Sequence, residues 1–491
     1  MYRLATLSLV VFPLFTLGCA RKDDAGVPSV VLTEEEPGLD ANSEPELPPD
    51  DLPELVTENW MGENPYGNLC LNESHFLSRS EILVLEAESG PGCNSDNPDV
   101  PNPDSQWFAQ LEEPTPAEST QGYGVFFTNY SSRFGAMKSR LLRQAGGNDE
   151  SERAVFIGLA WLAQQQKVDG GWEFDSGELK DRVAATGMAL LPFLAAGETH
   201  FKAKYYRNTI NSGLQFLLRN CPLSGATAGR MSSNPAAHAI ATIALCEAYG
   251  MTRDKGFLLA GAQAAVNHIV KGQAPNGSWG ITPGATGDIF ITGWQIQALK
   301  TARLSKDIVV PIVTIKKAVD FLNLTGAGPR KAMYGSSDTT DAAPGTTQTA
   351  VGLLCRYLID GWGPDNGGMG EGIEGLMKRA PMKSTATPDV YFHFHASQVI
   401  RFYEGEEWKT WFQGPKYPDG IRKGGLRDWL VFLQVKKDGK NQGSFDPDAA
   451  WIGHNSGRLG TTAFCVLILE TPYRQSLLTS PPFIKIVDAP K

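Results

Sequence analysis

From about residue 150 to residue 470 the chain repeats one two-part pattern six times, and such a period limits the fold before any motif does. The first part of each unit is a segment with apolar residues at helical spacing. These segments are 152–166, 204–219, 258–272, 311–324, 367–379 and 424–436. Three of them run into glycine and an aromatic: Gly170-Gly171-Trp172, Gly277-Ser278-Trp279 and Gly443-Ser444-Phe445. The second part is rich in Ala, Thr and Leu: 184–196, 236–249, 292–302, 346–358, 390–402 and 460–470. Equivalent positions Ala189, Ala244, Ala298 and Gly352 stand 55, 54 and 54 residues apart.

Helices rich in small residues are thin and pack closely, so the second members belong in an inner ring. The bulkier first members, with Lys, Arg and Gln on one face, belong outside. Six pairs suit a closed ring, because closure removes the bare ends that an open array must cap. The expectation is an all-α, (α/α)6 toroid of six helix pairs over residues 119–475, preceded by a disordered acidic arm and followed by a tail at 476–491.

Charge separates that body from what precedes it. The net charge is −10, but residues 1–22 carry three bases and no acid, and residues 23–118 carry 23 acids and one base, Arg79. The body, 119–491, holds 40 bases and 31 acids. Residues 4–17 form an apolar run too short to span a bilayer as a helix, as in a secretory signal. The run ends in Thr16-Leu17-Gly18-Cys19, which resembles the lipobox of bacterial lipoproteins. That resemblance implies cleavage after residue 18 and acylation of Cys19, whose buried acyl chains hold a protein on a membrane. Residues 19–58 read as an acidic, proline-rich tether lifting a domain off the membrane, unable to bury enough apolar surface to order itself. Residues 59–118 are irregular and still acidic. Cys70 and Cys93 lie there, and an exported context permits a disulfide between them. The expected location is therefore outside the cytoplasm, on the cell membrane or outer membrane, facing periplasm or cell surface.

The repeats carry a family resemblance. Gly158-Leu-Ala-Trp161-Leu-Ala-Gln164 through Asp169-Gly-Gly-Trp172, and 266–273 through Gly277-Ser-Trp279, resemble the QW repeats of squalene–hopene cyclases and of prenyltransferase β-subunits. Also similar to the bacterial prenyltransferase/squalene-oxidase repeat proteins, such as those of planctomycetes, are Ala184-Ala-Thr-Gly-Met-Ala-Leu-Leu-Pro-Phe193, His238-Ala-Ile-Ala-Thr-Ile-Ala-Leu-Cys-Glu-Ala-Tyr-Gly250, Gly287-Asp288 through Gly293-Trp294-Gln295, Gly352-Leu-Leu-Cys-Arg356 and Gly457-Arg458-Leu-Gly-Thr-Thr462. The resemblance spans roughly 123–475. It implies the fold and leaves the activity open, because these repeats recur in proteins of unrelated function.

In such a ring the inner helices point one way, so their N-termini gather at one mouth with unsatisfied N–H groups and partial positive charge. The loops there hold the candidate catalytic groups Asp288, His393, His395, Asp341 and Arg458. Candidate ligand-binding groups are His238, Trp294, Gln295, Gln348, Tyr391, Gln398 and His454. Each has a plainer reading. Asp181, Asp288 and Asp341 suit helix N-caps, and Trp161, Trp172 and Trp279 suit packing. His393 and His395 are two apart, so a helix points them apart and only an extended segment aims both inward. Cys246, Cys355 and Cys465 sit among apolar neighbours as small hydrophobes.

Squalene-type cyclases protonate an alkene with the acid of an Asp-x-Asp-Asp motif. That motif is absent, and Asp338-Thr-Thr-Asp341 lacks the paired inner acid. Zinc of the prenyltransferase kind would draw on Asp288 with His393 or His395, but the expected loop cysteine is missing and no full ligand set assembles. No metal ligand is assigned and the cofactor stays unknown. The expected function is a membrane-anchored envelope lipoprotein whose toroid binds a ligand in its central cavity without cyclase activity. Isoprenoid, glycan and peptide stay open as ligands, and nucleic acid is not expected. The alternatives are a divergent isomerase or polysaccharide lyase of the same fold, and an assembly scaffold. A deep aromatic pocket would favour isoprenoid, a wide groove with His and Arg would favour glycan, and a plugged centre would favour a scaffold.

Overall fold

A computed structural model describes residues 130–203, 205–337, 344–437 and 439–474. All lie in the second of the chain's two units, Asn68–Lys491. The signal, tether, irregular acidic segment, Cys19, Cys70, Cys93, Asp338, Asp341 and the tail fall outside the described residues.

Fifteen α-helices are described. In chain order they are α1 (Gly135–Gln144), α2 (Asp149–Gln164), α3 (Arg182–Ala195), α4 (Arg207–Arg219), α5 (Pro235–Thr252), α6 (Ala260–Lys271), α7 (Ile289–Leu304) and α8 (Ile312–Thr325). A two-stranded antiparallel ribbon follows, β1 (Gly326–Ala327) paired with β2 (Met333–Tyr334). Then come α9 (Thr346–Asp360), α10 (Gly367–Met377), α11 (Val390–Tyr403), α12 (Gly405–Gln413), α13 (Leu426–Leu433), α14 (Trp451–Leu469) and α15 (Thr471–Arg474). None of the described helices is long and apolar enough to cross a membrane.

The inner helices α3, α5, α7, α9, α11 and α14 pack in that order, and α14 packs back on α3. The ring is closed. Outer helices α4, α6, α8 and α10 each sit against two consecutive inner helices, α2 sits against α14 and α3, and α13 against α14. All six expected pairs are present, so the fold is the (α/α)6 toroid. Small residues set the inner spacing: a Cβ on Gly187 would press on Ala241 and Ile240, and one on Gly293 would press on Val351. The inner helices are buried on nearly every side, whereas the outer ones keep a wet face.

The repeat has a mechanical cause. A glutamine just past an outer helix donates both to its own loop and to the next outer helix. Gln166 Nε2 reaches Gly170 O and Thr209 O, each at 2.8 Å. Gln273 Nε2 reaches Gly277 O at 3.0 Å and Thr314 O at 2.9 Å. Gln434 Nε2 reaches Gly443 O and Ala154 O, each at 2.8 Å. Ala154 belongs to α2, so the last unit grips the first by the bond that joins the others. The loop glycines Gly170, Gly277 and Gly443 have φ near +90° and lie against the backbone of that next helix, where a side chain has no room. The following aromatic is fastened by its indole or its backbone. Trp172 and Trp279 donate their ring N–H to Leu162 O and Ile269 O at 2.7 Å. The backbone N–H of Trp172, Trp279, Tyr334 and Phe445 goes to a threonine hydroxyl on an inner helix.

Three features depart from the pattern read in the sequence. Helix α12 inserts between the fifth and sixth pairs. The sixth inner helix starts nine residues early, at Trp451, and breaks at Gly457, where φ is +59° and ψ −150°. Asp175 Oδ1 accepts Leu459 N at 2.9 Å and caps the restart of that helix.

Candidate functional site

The inner helices bring aromatic rings together across the ring axis. Trp294 of α7 lies 6.0 Å from Phe394 and 5.4 Å from His395, both on α11, and 6.2 Å from Phe464 on α14, centroid to centroid. Neither α11 nor α14 neighbours α7 in the ring, so these contacts span the centre. Tyr391 closes the group at 4.6 Å from His395 and 6.4 Å from Phe464. None of the five residues is more than 6% exposed. The open central cavity expected from the fold is therefore replaced by a packed aromatic centre. The helices are thin enough that large side chains on three of them meet in the middle.

Two polar atoms in or beside this centre have no hydrogen-bond partner among the described residues: His395 Nε2 and Gln295 Oε1. His395 Nδ1 donates to Tyr391 O at 2.9 Å, which fixes the tautomer and leaves Nε2 as a bare lone pair. Burial pushes this imidazole down to about 4, so it is neutral. Gln295 donates its amide to Pro235 O at 2.8 Å, leaving the carbonyl oxygen as an acceptor. A buried acceptor without a donor costs about 1–3 kcal/mol, and such groups call for a reason other than packing.

At the N-terminal mouth, Tyr391 meets Trp451 at 5.3 Å and Phe290 at 5.9 Å. Trp451 is half-exposed. Asp288 caps α7, its Oδ1 accepting Phe290 N and Ile291 N at 2.8 Å. Burial raises its pKa while those two bonds oppose the rise. Burial also raises the Tyr391 hydroxyl, which is hydrogen-bonded to Trp294.

The other candidates are dispersed. His393 faces outward, 5.6 Å from Trp411 of α12 and 5.9 Å from Trp429 of α13, with Nδ1 donating to Asp389 O at 2.7 Å. It too is held down to about 4 by burial. As the helical alternative required, one histidine of the pair points in and the other out. His238 points outward as well: Nδ1 accepts Met231 N at 3.3 Å and Nε2 donates to Ala265 O of α6 at 3.1 Å. In the second unit it does what threonine does in four of the others. Burial keeps it at about 3. His454 is exposed and pairs with Glu178 at 3.2 Å. Arg458 pairs with Asp446 at 2.5 Å and donates to Ser444 Oγ at 2.9 Å. Gln348 donates to Ser336 Oγ at 3.2 Å, and Gln398 to Phe394 O at 3.2 Å. Trp294, Tyr391 and His395 thus come together with Asp288 near the mouth. Among the described residues no three His, Cys, Asp or Glu side chains stand close enough to hold a metal. For the zinc set read in the sequence the reason is geometric: Asp288 is engaged as a cap and His393 faces away. Cys221, Cys246, Cys355 and Cys465 are buried free thiols.

Sequence reasoning passed over Phe394, Phe464 and Trp451. The signal was available in part, since Phe464 is a bulky residue after the small run Gly460-Thr-Thr-Ala463, and Phe394 belongs to the dense aromatic run Tyr391-Phe-His-Phe-His395. It also passed over a polar cleft of about 250 Å³ on the rim, walled by Gln165, Lys167, Glu173, Phe174, Asp175 and Leu459.

No family model and no curated protein matches the chain. Among solved structures it is similar to the GH76 α-mannanase of Bacteroides thetaiotaomicron (TM-score 0.45, 10% identity, 68% of this chain and 98% of that one). It is also similar to a type II terpene cyclase from Scytonema bound to its product, merosterolic acid A (TM-score 0.40, 12% identity, 66% and 97%). A third is an α-amylase from Clostridium perfringens (TM-score 0.44, 12% identity, 65% and 97%). The ring itself is read from the chain's own helix contacts.

Proposed function

We propose that the protein is an envelope lipoprotein, anchored through Cys19, whose toroid binds the apolar part of an isoprenoid-type molecule at its aromatic centre and does not cyclise it. The observation that carries this reading is His395 Nε2, a bare acceptor inside an aromatic cage. It suits a ligand that is apolar except for one hydroxyl or amine donor. A glycan presents hydroxyls on all sides and would strand them against Trp294, Phe394 and Phe464. Protonating an alkene needs an undissociated strong acid beside it. Among the described residues the carboxylates beside this aromatic group are occupied with helix N–H groups, Asp288 with Phe290 and Ile291, Asp389 with Phe392, and Asp448 with Val390, so none of these three is placed as an alkene-protonating acid. Uptake requires Trp451 and Tyr391 to part, and that is where the centre is closest to solvent.

The test is tryptophan fluorescence of the purified full-length chain titrated with farnesol and, separately, with the matching hydrocarbon. Tighter binding of the alcohol, lost in His395→Phe, is the expected result. No response to either, or equal response in the variant, overturns the site. Cyclised product from squalene overturns the non-catalytic reading. The anchor has its own test: radioactive fatty acid labels the wild type in cells and not Cys19→Ala, and equal labelling removes it.

A second reading, an assembly scaffold that works through its rim, is favoured by the packing of Trp294 against Phe464 across the axis. A scaffold needs a rigid ring and no chamber. Failure of both isoprenoid titrations, with a protein partner lost on substitution of rim residues, decides for it.

A further inference from the structure

Toward the C-terminal ends of the inner helices lies a buried cluster of charges. Arg133 Nη1 contacts Glu247 Oε2 at 2.7 Å, and Arg474 Nη2 contacts Glu247 Oε1 at 3.3 Å. One carboxylate thus faces two guanidiniums, all three side chains at most 6% exposed. Arg133 is otherwise well supplied, donating to Leu194 O and Arg474 O. Arg474 is not: its Nε and Nη1 have no hydrogen-bond partner among the described residues. Glu470 gives Arg474 no hydrogen bond. Neither of its oxygens accepts one among the described residues, and burial pushes its pKa well up.

Arg401 stands on the other side of a small cavity. It is 8% exposed, and its Nε also has no partner. Its ion pair with Glu404, at 3.4 Å, reaches a carboxylate that is 56% exposed and so is screened by water. The planes are held in place by rings: Arg474 over Phe394 at 5.6 Å and Arg401 over Trp408 at 5.7 Å. Between them lies a space of about 10 Å³, lined by Gln398, Arg401, Phe402, Thr471 and Arg474. No carboxylate lines it. Thr471 directs its hydroxyl hydrogen to Leu467 O and Gln398 donates to Phe394 O.

We propose that this cavity is a binding site for a small monovalent anion of chloride size, held by Arg401 and Arg474. Two buried guanidiniums that line one space and keep unspent N–H donors repel each other at low dielectric, and an anion between them would remove the repulsion and take donors. The volume, about that of one water, excludes sulfate, phosphate and carboxylate. Because α15 carries Arg474 and packs on α1, α11 and α14, the ion would pin the end of the described chain to the ring.

The chloride NMR line of the full-length chain in detergent is compared with that of detergent alone. Wild type is expected to broaden it, bromide to reverse the broadening, and Arg401→Gln to weaken chloride roughly tenfold or more, the worth of one charge-assisted hydrogen bond. The melting temperature should rise with chloride and not with gluconate at equal ionic strength. Equal broadening in the variant, or no difference between the two salts, overturns the site and leaves water there. Should Arg401→Gln not fold, anomalous scattering from wild-type crystals soaked in bromide decides: a peak between Arg401 and Arg474 supports the site, and peaks found only elsewhere overturn it.

Discussion

Replacing Gln434 by alanine tests whether the ring is closed. The side chain is 4% exposed, and its amide bridges Gly443 O and Ala154 O at 2.8 Å each. Each bond contributes about 1 kcal/mol net. Ala154 O lies within α2 and keeps its helical partner, but Gly443 O sits in a loop and loses its amide donor. With the packing lost on truncation, the cost is about 2–3 kcal/mol. For a body of this size that lowers the melting temperature by about 3–4 °C, read by far-UV circular dichroism. Gln166→Ala and Gln273→Ala remove the same pair of bonds elsewhere in the ring, so in a closed ring all three variants lose similar stability. In an open superhelix Gln434 would lie at a seam that frays without unfolding the rest. A Gln434→Ala loss far below that of Gln273→Ala, and no larger than that of the exposed Gln144→Ala, would refute the closure argument.

Three further outcomes follow from the geometry. His395→Phe removes a stranded acceptor and should raise stability by about 1–2 kcal/mol at neutral pH while abolishing binding of the isoprenoid alcohol. Its advantage should grow as pH falls from 6.5 to about 4, by up to ~1.4 kcal/mol per pH unit, because the unfolded chain protonates this histidine in that range and the folded chain does not; a constant difference across the range, measured by denaturant unfolding, contradicts a buried neutral imidazole. Asp288→Asn should leave stability within about 0.5 kcal/mol and ligand binding unchanged, since asparagine caps helices equally well, whereas Asp288→Ala should cost about 1 kcal/mol; a collapse of binding in the asparagine variant would show that the charge itself is used. Gly443→Ala should be among the most damaging single changes, because φ there is +91° and the added carbon would overlap Ile157 O; a melting temperature equal to wild type would refute the loop geometry.

The closed ring also gives the chain's small residues a purpose. Inner helices touching through Gly187 and Gly293 leave so narrow a bore that large side chains from three of the six helices meet across it. A chamber wide enough for a folded squalene would need those helices farther apart. The same economy explains why the features inside the ring are single atoms or small spaces, such as the imidazole lone pair in the middle and the cavity of about 10 Å³ toward the C-terminal ends of the helices.

The linear chain was sufficient for the architecture. Helical periodicity, the glutamine after three of the outer helices, the glycine that lets two backbones touch and the 54-residue spacing are local regularities, each repeated often enough to be read without coordinates. It also established that His393 and His395 diverge on a helix, because residues two apart are turned by roughly 200°. It did not say which of them faces in. That depends on the rotation of α11 about its own axis, which is set by what Trp411 and Trp429 do on the outside and Trp294 on the inside. Nor did it foretell that Phe464 would meet Trp294, or that Arg401 and Arg474 would share a cavity. Those pairs are 170 and 73 residues apart, and their contact follows from the bore of the assembled ring and the reach of each side chain, quantities that exist only once all six helix pairs have closed on one another.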